Sequence, residues 1–182
     1  MSLDGRRVIA VFGASAAQEG DGDYDQGVVC GRLLAEAGFA VATGGYHGLM
    51  EAACRGAAEA GGATIGVTAP AVFPERAGAN EWVQHEIEAD DLVRRIALLI
   101  DLAEGYIALP GSIGTLAELV VAWNLAFVAP FADKQFGPIA TVGETWGELI
   151  PLLTTRLNSN SAPIATCSSV SEAVSHVVAA LS

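Results

Sequence analysis

A chain of 182 residues, 52% hydrophobic and 16% charged, is long enough to bury a core without disulfides or metals, and apolar enough to bury strands on both faces. Its net charge of −12, with nine Lys and Arg in all, excludes a broad basic surface for nucleic acid. Three cysteines, Cys30, Cys54 and Cys167, are odd in number and widely spaced, which excludes a disulfide framework and points to free thiols in a reducing, cytoplasmic setting.

Met1–Arg7 is too short and polar for a signal peptide, and no unbroken apolar run reaches about 18 residues, so no membrane span is expected. Val8–Phe12 reads as a strand that stops at Gly13. Tyr24–Ala37 carries Val29, Leu33 and Ala37 at helical spacing and ends at Gly38. Phe39–Thr43 is the next strand, Leu49–Ala60 a helix closed by Gly61-Gly62, and Thr64–Thr68 a third strand. Ala69–Glu86, with Pro70, Pro74, Gly78 and Asn80, reads as a long irregular connection, which in a compact domain is usually functional or mobile.

Asp90–Leu102 places Leu92, Ile96, Leu99 and Ala103 on one helical face. Tyr106–Leu109 is a strand ended by Pro110-Gly111, and Thr115–Val128 a helix. Gly137–Val142, Trp146–Leu157, Pro163–Thr166 and Ser169–Leu181 continue the alternation of strand and helix. That rhythm predicts an α/β fold, a doubly wound, Rossmann-like parallel sheet with helices on both faces, because each parallel pair needs a crossover. No boundary or repeat divides the chain, so residues 1–182 are expected to form one nucleotide-binding domain. The continuous apolar stretch with Leu119, Val120, Val121, Trp123, Leu125 and Phe127 exceeds one buried face and predicts a homodimer.

Three predicted strands end in small-residue turns: Gly13-Ala14-Ser15, Gly44-Gly45-Tyr46-His47-Gly48 and Gly111-Ser112-Ile113-Gly114-Thr115. Each alone is explained by a tight bend. Together, at the carboxyl ends of strands in a doubly wound sheet, they suit a phosphate held by backbone amides and helix dipoles.

The segment Ala108-Leu109-Pro110-Gly111-Ser112-Ile113-Gly114-Thr115-Leu116-Ala117-Glu118 resembles the PGGxGTxxE signature of the LOG family, the cytokinin-activating phosphoribohydrolases long mislabelled as lysine decarboxylases. Gly44-Gly45 through Gly48-Leu49-Met50 is similar to that family's second glycine turn, and Val11-Phe12-Gly13-Ala14-Ser15 to its opening segment. The family's arginine matches Arg95, counted back from Pro110. Ser112, Ile96 and Leu99 stand where the family has glycine, lysine and methionine. The resemblance implies a dimer, Arg95 and Glu118 as catalytic residues, and Gly13, Ser15, Gly44, Gly45, Gly48, Leu49, Met50, Gly111, Ser112, Gly114 and Thr115 around the phosphorylated nucleotide.

Each candidate also has a structural reading. Thr115-x-x-Glu118 is the pattern of a capping box. Asp91 and Asp90 lie four residues before Arg95 and Arg94 and fit i,i+4 ion pairs on a solvated face; between the two arginines, the apolar neighbours favour Arg95 for the site. Tyr46 fits against a base or against the neighbouring loop, and His47 is a polar loop residue that fits phosphate or ribose.

An ionised Glu118 beside a developing ribosyl cation would activate water and split a nucleoside 5′-monophosphate into base and ribose 5-phosphate, with Arg95 orienting it or neutralising phosphate. No metal or redox cofactor is required by that scheme. The alternative is a module that binds or senses a nucleotide without turnover. A pyridoxal decarboxylase is disfavoured, since the only lysine, Lys134, sits in a polar loop.

Overall fold

A computed structural model of the chain describes residues 2–3, 5–76 and 78–182. Strand β1 (Ser2–Leu3) pairs antiparallel with β2 (Arg6–Phe12). Helix α1 (Gly22–Glu36) leads to β3 (Ala40–Thr43), and α2 (Leu49–Glu59) to β4 (Thr64–Thr68) and β5 (His85–Glu88). After α3 (Leu92–Leu102) come β6 (Gly105–Ala108) and α4 (Ile113–Val128), which runs into a 3-10 turn at Ala129–Ala132. Strand β7 (Ile139–Val142), α5 (Glu144–Arg156), β8 (Ile164–Cys167) and α6 (Val170–Leu181) complete the order. The strands from β2 onward form a parallel sheet in the order β5-β4-β3-β2-β6-β7-β8.

The doubly wound fold read from the alternation is the fold observed. Along β2, Val8, Ala10 and Phe12 pack on one side with Leu99, Leu119 and Trp146, while Ile9 and Val11 pack on the other with Leu34, Leu49 and Val177. Helices α3, α4 and α5 therefore cover one face, and α1, α2 and α6 the other. Burial on both faces is why these strands are continuous apolar runs. The chain winds outward from β2 through β3 to β5, then returns across the sheet through α3 to β6. The winding direction reverses between β2 and β6, and the crevice beyond their carboxyl ends is where this class of sheet takes ligands.

Two expectations are corrected. The irregular connection expected over Ala69–Glu86 gives way to β5 at His85, an edge strand parallel to β4. Its residues His85, Glu86 and Glu88 are exposed, so there is no alternating apolar face to announce it. The second concerns membrane-spanning length. Ile113–Ala132 is 20 helical residues of mean hydropathy 1.6, long and apolar enough to cross a membrane by length and composition alone. Thr115, Glu118 and Asn124 interrupt its apolar run, yet the mean stays high. Its inner side, with Leu119, Ala122 and Trp123, packs in the core.

The third glycine turn is held from outside the β2–β6 crevice by a buried tryptophan. Trp146 of α5 donates from Nε1 to the Leu109 carbonyl at 2.9 Å, just before Pro110-Gly111. Trp146→Phe is expected to destabilise the fold by about 1–3 kcal/mol, because a buried carbonyl loses its donor. Urea unfolding followed by circular dichroism measures it, and a change within error would show that water or another donor replaces the indole.

Candidate functional site

The three glycine turns are stitched into one body. Ala14 of the first donates its N–H to the Pro110 carbonyl of the third at 3.1 Å, and accepts from Leu49 N–H, at the end of the second, at 2.9 Å. Gly48 has φ +74°, and a Cβ there would stand 2.4 Å from the Ala14 carbonyl oxygen. Close backbone approach between the first two turns therefore requires glycine.

Arg95 enters from α3. Asp91 caps that helix by accepting from Arg94 N–H at 2.7 Å, so no i,i+4 pair forms with Arg95. Arg94 is exposed, while Arg95 is 6% exposed. Its Nε donates to the Val67 carbonyl at the end of β4 (2.8 Å), and Nη2 donates to the Gly44 carbonyl (2.9 Å) and to Met50 Sδ (3.7 Å). Nη1 faces Glu118 Oε1 at 3.4 Å. A Cβ on Gly44 would lie 1.7 Å from Arg95 Nη2, so the glycine makes room for the guanidinium.

Glu118 lies one and a half turns into α4. The helix starts at Ile113 with Ser112 at the N-cap, and no side chain caps it. The capping box expected for Thr115 and Glu118 does not form: the N-cap is Ser112, three residues before Thr115, which carries Glu118 past the third position. The carboxylate is instead 8% exposed and faces Arg95. Burial pushes its pKa up to about 7, against the opposing pull of Arg95. Burial likewise lowers Arg95, with Glu118 and Tyr46 opposing and Arg76 adding to the fall.

The remaining candidates divide. Gly44, Gly45, Gly48, Leu49 and Met50 are all buried, the first and last against Arg95. Gly13 leaves its Cβ space to the Leu49 side chain, and Gly111 leaves its own to Thr115, which is buried. Ser15, Ser112 and Gly114 are exposed. Leu116 N–H, donating to the Ser112 carbonyl, begins the α4 bonding pattern, so the amides just before it open at the helix N-terminus. His47 is exposed and pairs with Glu51 Oε2 at 3.1 Å. Tyr46 is buried against Phe73 of the following loop and accepts from Ala69 N–H.

Sequence reasoning missed Asn80, whose side-chain amide donates to the Gly45 and Tyr46 carbonyls at 3.0 and 2.8 Å. Only its setting among prolines and glycines hinted at a clamp. Of the three departures from the family pattern, Leu99 is fully buried and Ile96 packs against the same core, while Ser112 is the α4 N-cap. Among the described residues no cluster of His, Cys, Asp and Glu could hold a metal.

A model of the SLOG cluster4 family matches residues 6–128, a span that holds all three turns, Arg95 and Glu118. The chain is 32% identical over 143 residues, 69% of this chain and 73% of the relative, to a cytokinin riboside 5′-monophosphate phosphoribohydrolase of Mycobacterium tuberculosis. Among solved structures, the molybdenum cofactor binding protein of Rippkaea orientalis matches with a TM-score of 0.75 and 22% identity over 97% of this chain and 98% of that one. The molybdenum cofactor carrier protein of Chlamydomonas reinhardtii matches with 0.70 and 23% over the same shares, 97% and 98%. These two likenesses are of fold.

The elevated pKa of Glu118 has a sign in stability. The folded state binds this proton more tightly than the unfolded chain, so the stabilisation is full below the ordinary carboxylate range and is lost as pH rises through about 7. The stability of the wild type relative to Glu118→Gln should therefore fall between about pH 5 and about pH 8. Denaturant unfolding of both proteins across that window tests it, and a pH-independent difference would show that Glu118 ionises as an ordinary carboxylate.

Proposed function

The chain belongs to the SLOG cluster4 family, and we propose that it binds a nucleoside 5′-monophosphate and hydrolyses the N-glycosidic bond to a free base and ribose 5-phosphate. The observation that carries this reading is the buried Arg95–Glu118 pair at the crevice, with an arginine held by backbone carbonyls and a carboxylate poised near neutrality. The names of the mycobacterial relatives support it.

In this reading the 5′-phosphate sits on the amides at the α4 N-terminus, beside Ser112 and Gly114. The C1′–N bond breaks as water oxygen bonds to C1′; ionised Glu118 steadies the ribosyl cation and accepts a proton from that water. The base departs with the electron pair of the C1′–N bond and takes up the proton that Glu118 received, so one water supplies hydroxyl to C1′ and hydrogen to the base and Glu118 returns to its ionised form. Arg95 is a positioning residue, since its donors are engaged by Val67, Gly44, Met50 and Glu118. The scheme uses no metal or redox cofactor. A second reading, binding without turnover, is favoured by the near-complete removal of Glu118 from solvent, which weakens its access to water.

The test is a panel of nucleoside 5′-monophosphates with free base read by chromatography. Base release should rise with pH as Glu118 ionises around about 7, and Glu118→Gln should lower it by at least about a hundredfold while nucleotide binding persists. Binding by the wild type with no base released would establish the second reading.

The proposal includes a homodimer through α4. Ile113 and Phe131 are 78% and 80% exposed, and Val120, Val121, Leu125, Phe127 and Val128 lie open between them. From Leu119 to Ala132 this helical stretch carries no charge, so two copies of a chain of net charge −12 can meet there without like charges facing. A groove of about 600 Å³ between α4 and α5, walled by Val121, Leu125, Leu153 and Leu157, adds apolar surface to the same side. Sedimentation equilibrium should give a dimer at micromolar concentration and a monomer for Phe131→Glu; a monomeric wild type refutes it.

A further inference from the structure

The connection between β4 and β5 is tied down at both ends. At its start Ala69 N–H donates to Tyr46 Oη (2.8 Å), and further on Asn80 clamps Gly45 and Tyr46 while its N–H donates to the Gly45 carbonyl at 2.7 Å. Between these anchors Arg76 N–H donates to the Phe73 carbonyl, and the Arg76 guanidinium turns onto two rings. Its Cζ lies 4.7 Å from the centroid of Tyr46 and 4.4 Å from that of Phe73. Arg95 Cζ lies 5.7 Å from the same Tyr46 ring. Two guanidiniums thus share one aromatic ring beside the second glycine turn.

The two differ in their partners. Glu118 faces Arg95, and burial favours its neutral form. Among the described residues Arg76 makes no side-chain hydrogen bond and no ion pair. The carboxylate of the nearby edge strand, Glu86, accepts from Thr68 Oγ1 at 2.7 Å. Arg76 is close enough to Arg95 to disfavour its charge. Arg76 is thus half-buried and stacked on two rings with no carboxylate among the described residues bound to its guanidinium, in a chain of net charge −12. Stacking leaves a guanidinium's in-plane N–H donors free, the geometry that suits two-point binding of a phosphate or carboxylate.

We propose that Arg76 is an anion-recognition residue of this site, its guanidinium, seated on the Tyr46 and Phe73 rings, contacting the phosphate of a bound phosphorylated small molecule from the β4–β5 connection. This rests on the reading of the site as one for a phosphorylated nucleotide, and adds to it a side-chain contact distinct from the α4 amides. A bound anion would also offset the repulsion between Arg76 and Arg95.

The test is titration calorimetry of the full chain with adenosine 5′-monophosphate and with adenosine, for the wild type, Arg76→Gln, Arg76→Lys and Arg94→Gln, each checked for native circular dichroism. The wild type should prefer the monophosphate. Arg76→Gln should weaken the monophosphate by roughly 10- to 100-fold, as loss of charge-assisted hydrogen bonds does, and leave adenosine unchanged. Arg76→Lys should recover part of the loss, and Arg94→Gln, the same charge change on an exposed arginine, should change neither. A wild-type preference that survives Arg76→Gln overturns the role of Arg76 and leaves the phosphorylated-ligand reading standing. Equal weakening of both ligands by Arg76→Gln also overturns it, as the mark of a packing role. A wild type that does not distinguish the two ligands overturns both.

Discussion

The buried guanidinium of Arg95 is the interaction on which the rest of the site depends. It gathers a carbonyl from the end of β4, a carbonyl from the second glycine turn, a sulfur from α2 and a carboxylate from α4. Four elements that the sheet only brings near one another are thereby held to one geometry. A charge removed from water this far is costly, and a 3.4 Å contact with a carboxylate whose ionised form burial disfavours does not offset that by itself. The backbone carbonyls supply the compensation, because they carry partial negative charge and lie fixed at strand ends. Gly44 follows from this arrangement, since any side chain there would occupy the place of the guanidinium.

The same burial governs the chemistry available. A carboxylate titrating near neutrality exchanges protons with a substrate or water at ordinary pH, whereas an exposed glutamate is already ionised there. With Arg95 engaged by the protein, recognition of a ligand's negative charge would, in the proposed reading, fall to other groups: the α4 amides and the stacked Arg76. Ile96 and Leu99 are absorbed into the core and Ser112 into a helix cap, without displacing Arg95 or Glu118.

The strand order explains how a chain so poor in lysine and arginine brings two guanidiniums to one ring. Reversal of the winding between β2 and β6 leaves a crevice into which the first and third turns open, and Ala14 bonds both of the other turns. Arg95, from the crossover helix α3, and Arg76, from the connection before it, arrive beside Tyr46 of the second turn. Residues scattered from Gly13 to Glu118 are thus brought to one end of the sheet.

What the sequence determined by itself is local or periodic. The strand and helix alternation, the burial of strands on both faces and the glycine turns at strand ends were legible, because apolar period and turn chemistry act over a few residues. That Arg95 rather than Arg94 turns inward was legible too, from the apolar neighbours of the pair. Tertiary structure alone decided the rest. Edge strand β5 owes its place to pairing with β4, not to any apolar pattern of its own. The start of α4 at Ile113 moved Glu118 out of a capping box and into contact with an arginine 23 residues away. The clamp by Asn80 and the stacking of Arg76 on Tyr46 span 34 residues and 30 or so respectively, and no local rule encodes them. Such contacts are set by where the sheet places separate segments, and the shift in the pKa of Glu118 follows from the burial that placement creates.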